Sequence, residues 1–121
     1  MDYRKTDPEF MERVSHFAYD EVVNEPGQGL DAPTRYMAIL AALRGCQGAD
    51  MYRETLPAAL DAGLTPVAVK EMVYQSVDYL GMGRMWPFLK ITNEVMTENR
   101  ISIPLESQSV NTMEDSIEKV S

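Results

Sequence analysis

Few residues of this 121-residue chain combine type and spacing in a way that chemistry requires. There is one cysteine, Cys46, and one histidine, His16. Cys46 follows an alanine-rich stretch, where it is either a reactive thiol at a helix end or, more commonly, a small buried apolar residue. His16 has Glu12 four residues before it and Asp20 four residues after it, a spacing able to hold a metal ion on one helix face. Without a second histidine the better reading is a solvated imidazole paired with its acidic neighbours, and no metal or cofactor is expected. Tyr36, Tyr52 and Thr55, on the central helices, and Arg84 and Trp86, beyond a glycine elbow, are the groups expected around any small-molecule cavity. The nine methionines suit an adaptable pocket, but their positions on packing faces favour core filler.

The elements that must position these groups are helices. Asp7-Pro8 reads as an N-cap followed by proline, and Phe10, Val14, Phe17, Ala18 and Val22 then keep helical spacing to about Asn24. Glu25 to Gly29 combines a proline with two glycines and reads as a loop. Asp31 caps a second helix with Pro33 in its first turn, and Tyr36 to Leu43 is a run of eight apolar or aromatic residues. A helix with no polar face must be covered on every side. A third helix is expected from Ala49 to Ala62, carrying Pro57 within it and a kink near Leu56, with Gly63 beyond its end. Thr65-Pro66 opens a fourth, whose face Val69, Met72, Val73, Ser76, Val77 and Leu80 is continuous, with Lys70 on its exposed side. After Gly81-Met82-Gly83 a fifth helix places Met85, Phe88, Leu89, Thr92, Val95 and Met96 on one face, tolerates Pro87 in its first turn, and stops near Asn99. No strand competes with these helices. The expected organisation is one all-α domain over residues 1–100 and an extended arm or linker over 101–121.

Composition narrows the partners. A formal charge of −8 removes the cationic footprint needed for nucleic acid or anionic lipid. No segment approaches the ~18 apolar residues of a membrane span. A single cysteine forms no internal disulfide, which fits a reducing compartment, and a cytoplasmic location is expected.

Residues 29–96 resemble the carboxymuconolactone decarboxylase family, which also contains alkylhydroperoxidase D-type proteins. The resemblance rests on Asp31-x-x-Thr34-Arg35 opening the Ala/Leu-rich helix, on Ala58-Ala59-Leu60-Asp61-Ala62-Gly63-Leu64-Thr65, and on Tyr79-x-Gly81 followed by Asn93-Glu94-Val95-Met96. It implies an alkylhydroperoxidase D-like helical domain whose central antiparallel helix pair sits at the core of a dimer, trimer or hexamer. Peroxidase members of that family carry Cys-x-x-Cys-x-x-x-His in the third helix and a Glu in the second. One thiolate attacks, the other resolves, and His and Glu move protons. The matching positions here are Gly48, Met51, Thr55 and Tyr36. A two-residue shift places Cys46 on the first cysteine but Ala49 and Arg53 on the second cysteine and the histidine. The decarboxylase branch needs no thiols, yet its histidine also falls on Thr55, whose hydroxyl is too weak an acid to deliver the proton.

Thiol peroxidase activity and carboxymuconolactone turnover are therefore both disfavoured. The expected function is that of a decarboxylase-like protein that binds or transforms a small oxygenated acid without thiol chemistry. The alternative is a non-catalytic oligomeric subunit, or one half of a split tandem-domain protein, since Ile103-Pro104-Leu105-Glu106-Ser107-Gln108 resembles the joint between two fused copies of the domain. The expected partner is a second copy of the chain, docked through helices at about 32–46 and 49–62, with a separately encoded second domain as a further partner.

Overall fold

Capping chemistry sets the helix boundaries. The computed structural model describes residues 2–22 and 29–105, which fall into two compact units, the first ending at Leu30 and the second starting at Asp31. The first contains α1 (Tyr3–Thr6), α2 (Pro8–Ser15) and a π-helical turn over His16–Glu21. Asp2 caps α1 by accepting from the Arg4 N–H at 3.0 Å. The single first helix expected to start at Pro8 is thus α2 followed by a wider turn, closed by Val22 N–H donating to the Phe17 carbonyl at 3.0 Å, and the short α1 before it was not expected. No residue of α1 or α2 is buried, and both Phe10 and Phe17 are 61% exposed. Asn24 and most of the expected loop lie outside the described residues.

The second unit holds α3 (Ala32–Gly45), α4 (Ala49–Asp61), α5 (Pro66–Gln75), α6 (Val77–Leu80) and α7 (Met82–Glu98). Asp31 and Thr65 cap α3 and α5 as expected, accepting from the Thr34 and Ala68 N–H groups at 2.8 and 3.1 Å, and each helix has proline in its first turn. Three helices end in the same device. At α3, α4 and α7 a residue with positive φ follows the cap: Gln47 (62°), Gly63 (106°) and Arg100 (61°). The next N–H reaches back five residues, Gly48 to Leu43, Leu64 to Ala59 and Ile101 to Met96, at 2.8, 3.1 and 2.9 Å. Only Gly63 advertises this in the sequence. Leu64 and Ile101 follow these turns and pack onto the core, and Leu105 is buried too.

Helix α4 is central: it packs against α3 on one side and α7 on the other, and α7 also meets α5 and α6. Leu40, Tyr52, Leu56, Ala59, Leu64, Val69, Phe88, Ile91, Val95 and Met96 form one core cluster. Each large member contributes ~1.5–3 kcal/mol on burial. The Tyr52 and Phe88 rings meet edge to face, with centroids 5.1 Å apart. Pro57 sits within α4, which continues past it. Among the described residues there is no strand, and no helix is long and apolar enough to cross a membrane.

Two expectations need correction. The fourth helix is interrupted at Ser76, whose hydroxyl donates back to the Met72 carbonyl at 2.8 Å; such back-bonding bends helices. Lys70 is 7% exposed: its ammonium donates to the Asn93 side-chain carbonyl on α7, and burial lowers its pKa. Lys70→Asp should accordingly cost about 1–3 kcal/mol in urea unfolding, whereas the same change at exposed Lys90 should stay within about 0.5 kcal/mol.

Candidate functional site

The eight-residue apolar run of α3 is covered on one side. Leu40 is fully buried and Tyr36 and Leu43 pack on the core, whereas Met37, Ala38, Ala41 and Ala42 are exposed. An open groove of about 800 Å³ runs between α3 and α5–α6. Its walls are Met37, Ala38 and Ala41 on one side and Ala68, Met72 and Leu80 on the other. Polar character is confined to Thr34, Glu71, Gln75, Ser76, the Tyr79 hydroxyl and Arg44.

Arg44, in the last turn of α3, is 4% exposed. Its Nε donates to Ser76 Oγ at 2.8 Å, while its Nη1 is buried without a hydrogen-bond partner. Burial lowers its pKa, with the nearby Tyr52 hydroxyl acting in the opposite sense. Behind Arg44, the fully buried Tyr52 hydroxyl shares a 2.7 Å hydrogen bond with Thr92 on α7. Burial raises the Tyr52 pKa and holds the phenol neutral, against the opposing hydrogen bond from Thr92 and the Arg44 charge. Arg44 thus links the groove to a polar thread through the core. Sequence reasoning passed over it as the last charged residue of an apolar helix. The signal was its place seven residues after Met37 and three after Ala41, on one helix face.

The residues singled out in the sequence do not converge on one point. Thr55 is 3% exposed, with a buried, unpartnered hydroxyl, and does not line the groove. Met51 is 46% exposed, Gly48 closes the α3–α4 turn, and Tyr36 is half-buried against the core. Arg84 and Trp86 are exposed near the start of α7 and do not line the groove. Cys46 is exposed at the end of α3, with Sγ 3.6 Å from the Leu43 carbonyl, so it is not the buried small residue favoured by its context. His16 lies 3.6 Å from Asp20 on an exposed face, and the described residues contain no metal-binding cluster. Of the methionines, Met85 and Met96 fill the core, but Met37 and Met72 line the groove.

The profile of the carboxymuconolactone decarboxylase family matches residues 8–94. The chain belongs to that family. Neither curated proteins nor solved structures gave a match. The all-helical fold agrees with membership.

The polar thread sets a stability contrast. Tyr52→Phe should cost about 1–2 kcal/mol, because Thr92 loses its partner in a sealed core. Thr55→Val, which removes an unpartnered buried hydroxyl from a side chain of the same shape, should be neutral or stabilising by up to ~1 kcal/mol. Chemical denaturation of the two variants is the check.

Proposed function

We propose that this family member binds a small oxygenated acid in the groove between α3 and α5–α6, in the cytoplasm, and without thiol chemistry. The observation that supports the reading is the groove, whose apolar walls end at a buried cation. Concave, mostly apolar sites with few convergent polar groups are what small molecules occupy. Any turnover belongs to lyase, decarboxylase-like chemistry. Peroxide reduction is disfavoured because Cys46 is the single thiol and both register choices leave the resolving and proton-moving positions empty of suitable groups.

A second reading draws on Met37, Ala38 and Ala41, which leave one apolar face of α3 uncovered. Such a face favours self-association, most simply as a two-fold dimer or a trimer of dimers, and suits a non-catalytic subunit or half of a split pair. The two readings are compatible when a second copy roofs the open side of the groove. Leu43 packs on the core, so Leu43→Asp would unfold the chain; Ala41→Asp, at an exposed position, probes association.

Three outcomes are expected. Small acids should raise the melting temperature in a dose-dependent manner, and failure of every acid tested would remove the binding reading. Peroxide reduction with dithiol reductants should not exceed that of Cys46→Ser, and Thr55→His should give no decarboxylation while losing about 1–3 kcal/mol through overpacking of a buried site. Light scattering at micromolar concentration should show an oligomer that Ala41→Asp weakens; a folded 13.6 kDa monomer as the single species would refute association.

A further inference from the structure

The groove holds one positive charge that the described part of the chain leaves unanswered. Arg44 makes no ion pair among the described residues, whose ion pairs join His16 to Asp20 and Arg53 to Glu94 and Glu98. Ser76 cannot turn to serve a ligand: its proton is committed to the Met72 carbonyl and its oxygen to Arg44 Nε, so it fixes the guanidinium in place. Although the Tyr52 hydroxyl acts on the guanidinium, Nη1 remains a buried donor without a hydrogen-bonded acceptor among the described residues, and such groups call for a partner. The negative end of the α3 dipole offers partial compensation, but no last-turn carbonyl accepts from the guanidinium among the described hydrogen bonds.

We propose that Arg44 is the anion-binding group of the groove, and that its ligand is a compact monocarboxylic acid with an apolar body. The proposal rests on reading the groove as a ligand site. A carboxylate matches the planar guanidinium in charge and shape and accepts charge-assisted hydrogen bonds from it. A second negative charge on the ligand would find no cation among the described residues, where Arg44 is the single basic residue lining the groove and Glu71 lines the same space. Phosphate and dicarboxylates are disfavoured for that reason. Along α3, Arg44, Ala41 and Met37 fall at i, i−3 and i−7 on one face, so an acid held at Arg44 extends its body toward Met37, ~10 Å away at 1.5 Å per residue. Ala41 on one wall and Met72 on the other leave that path apolar.

The test uses the full chain, titrated calorimetrically with octanoate, 1-octanol, adipate and inorganic phosphate. Octanoate should bind at least tenfold more tightly than the other three. Arg44→Met should lose at least tenfold in octanoate affinity, keep its affinity for 1-octanol, and melt no lower than the parent, because a methionine fills the space without an unpaired charge. Arg44→Lys should recover part of the octanoate affinity. Equal binding of octanoate and 1-octanol by the parent protein would overturn the assignment of Arg44 while leaving the groove as a ligand site. Preference for adipate or phosphate would overturn the ligand class. If none of the four binds, and filling the groove with Ala41→Phe changes no thermal response to small acids, the groove reading fails and the proposal with it. An Arg44→Met variant that dissociates or melts early while binding octanoate normally would make Arg44 a structural cation, paired across a subunit contact, and would also overturn the proposal.

Discussion

The hydrogen bond from Arg44 Nε to Ser76 Oγ joins the last turn of α3 to the break between α5 and α6, and the geometry of the groove follows from it. Ser76 can accept that bond because its own proton turns back to Met72, and the same back-bond interrupts the helix and redirects α6. A longer, unbroken helix would carry Tyr79 and Leu80 along the axis of α5; the break lets both line the groove. On the α3 side, the same bond carries a charged side chain inward from a helix whose neighbouring residues are almost all apolar, and sets it beside the Tyr52 hydroxyl. One contact thus fixes a helix end, a helix break and the position of a buried cation.

Family membership leaves the chemistry to be argued from the side chains present. Thr55, which the sequence resemblance pairs with the proton-delivering imidazole, is sealed in the core with no partner for its hydroxyl among the described residues. Met51, which the same resemblance pairs with the resolving thiol, is nearly half exposed. These are different environments, one dry and one wet, on the same helix. A relay needs its members within hydrogen-bond reach of one another and of the reacting atom. The polar centre has instead formed on the Arg44, Ser76, Tyr52 and Thr92 side, where an uncharged phenol stands behind a guanidinium. That pairing suits holding an anion better than moving a proton, because neither group changes its charge near neutral pH.

Helix positions were legible in the sequence wherever a local signal set them. Asp31, Thr65 and Gly63 act through side-chain caps or backbone freedom within a few residues, so type and order suffice. Gln47 and Arg100 adopt the same left-handed geometry without being glycine, and nothing in their type announces it. The interruption at Ser76 was hidden for another reason: the apolar period continues through it, and the cause is a hydroxyl whose choice of partners depends on Arg44, distant in sequence. Lys70 was misplaced for the same reason, since its partner Asn93 lies on another helix and a lysine at a half-buried period position reads as solvent-facing. The candidate site was least legible of all. Its central residue gains its meaning from what it lacks in three dimensions, a counter-ion among the described residues, which no spacing encodes.

The apolar face of α3 and the unpaired cation at its end constrain each other. A helix apolar all round invites cover by another protein surface, but a surface that merely filled the groove with hydrocarbon would seal Arg44 away from any anion and raise the cost of its charge. Cover that stops short of Arg44, leaving room for a small acid, satisfies both: the walls lose contact with water and the guanidinium gains a partner. The lower effective dielectric under such a roof would strengthen the attraction between Arg44 and a carboxylate, because screening by water falls as the groove closes. Association and acid binding would then favour one another by linkage, each stabilising the state the other selects.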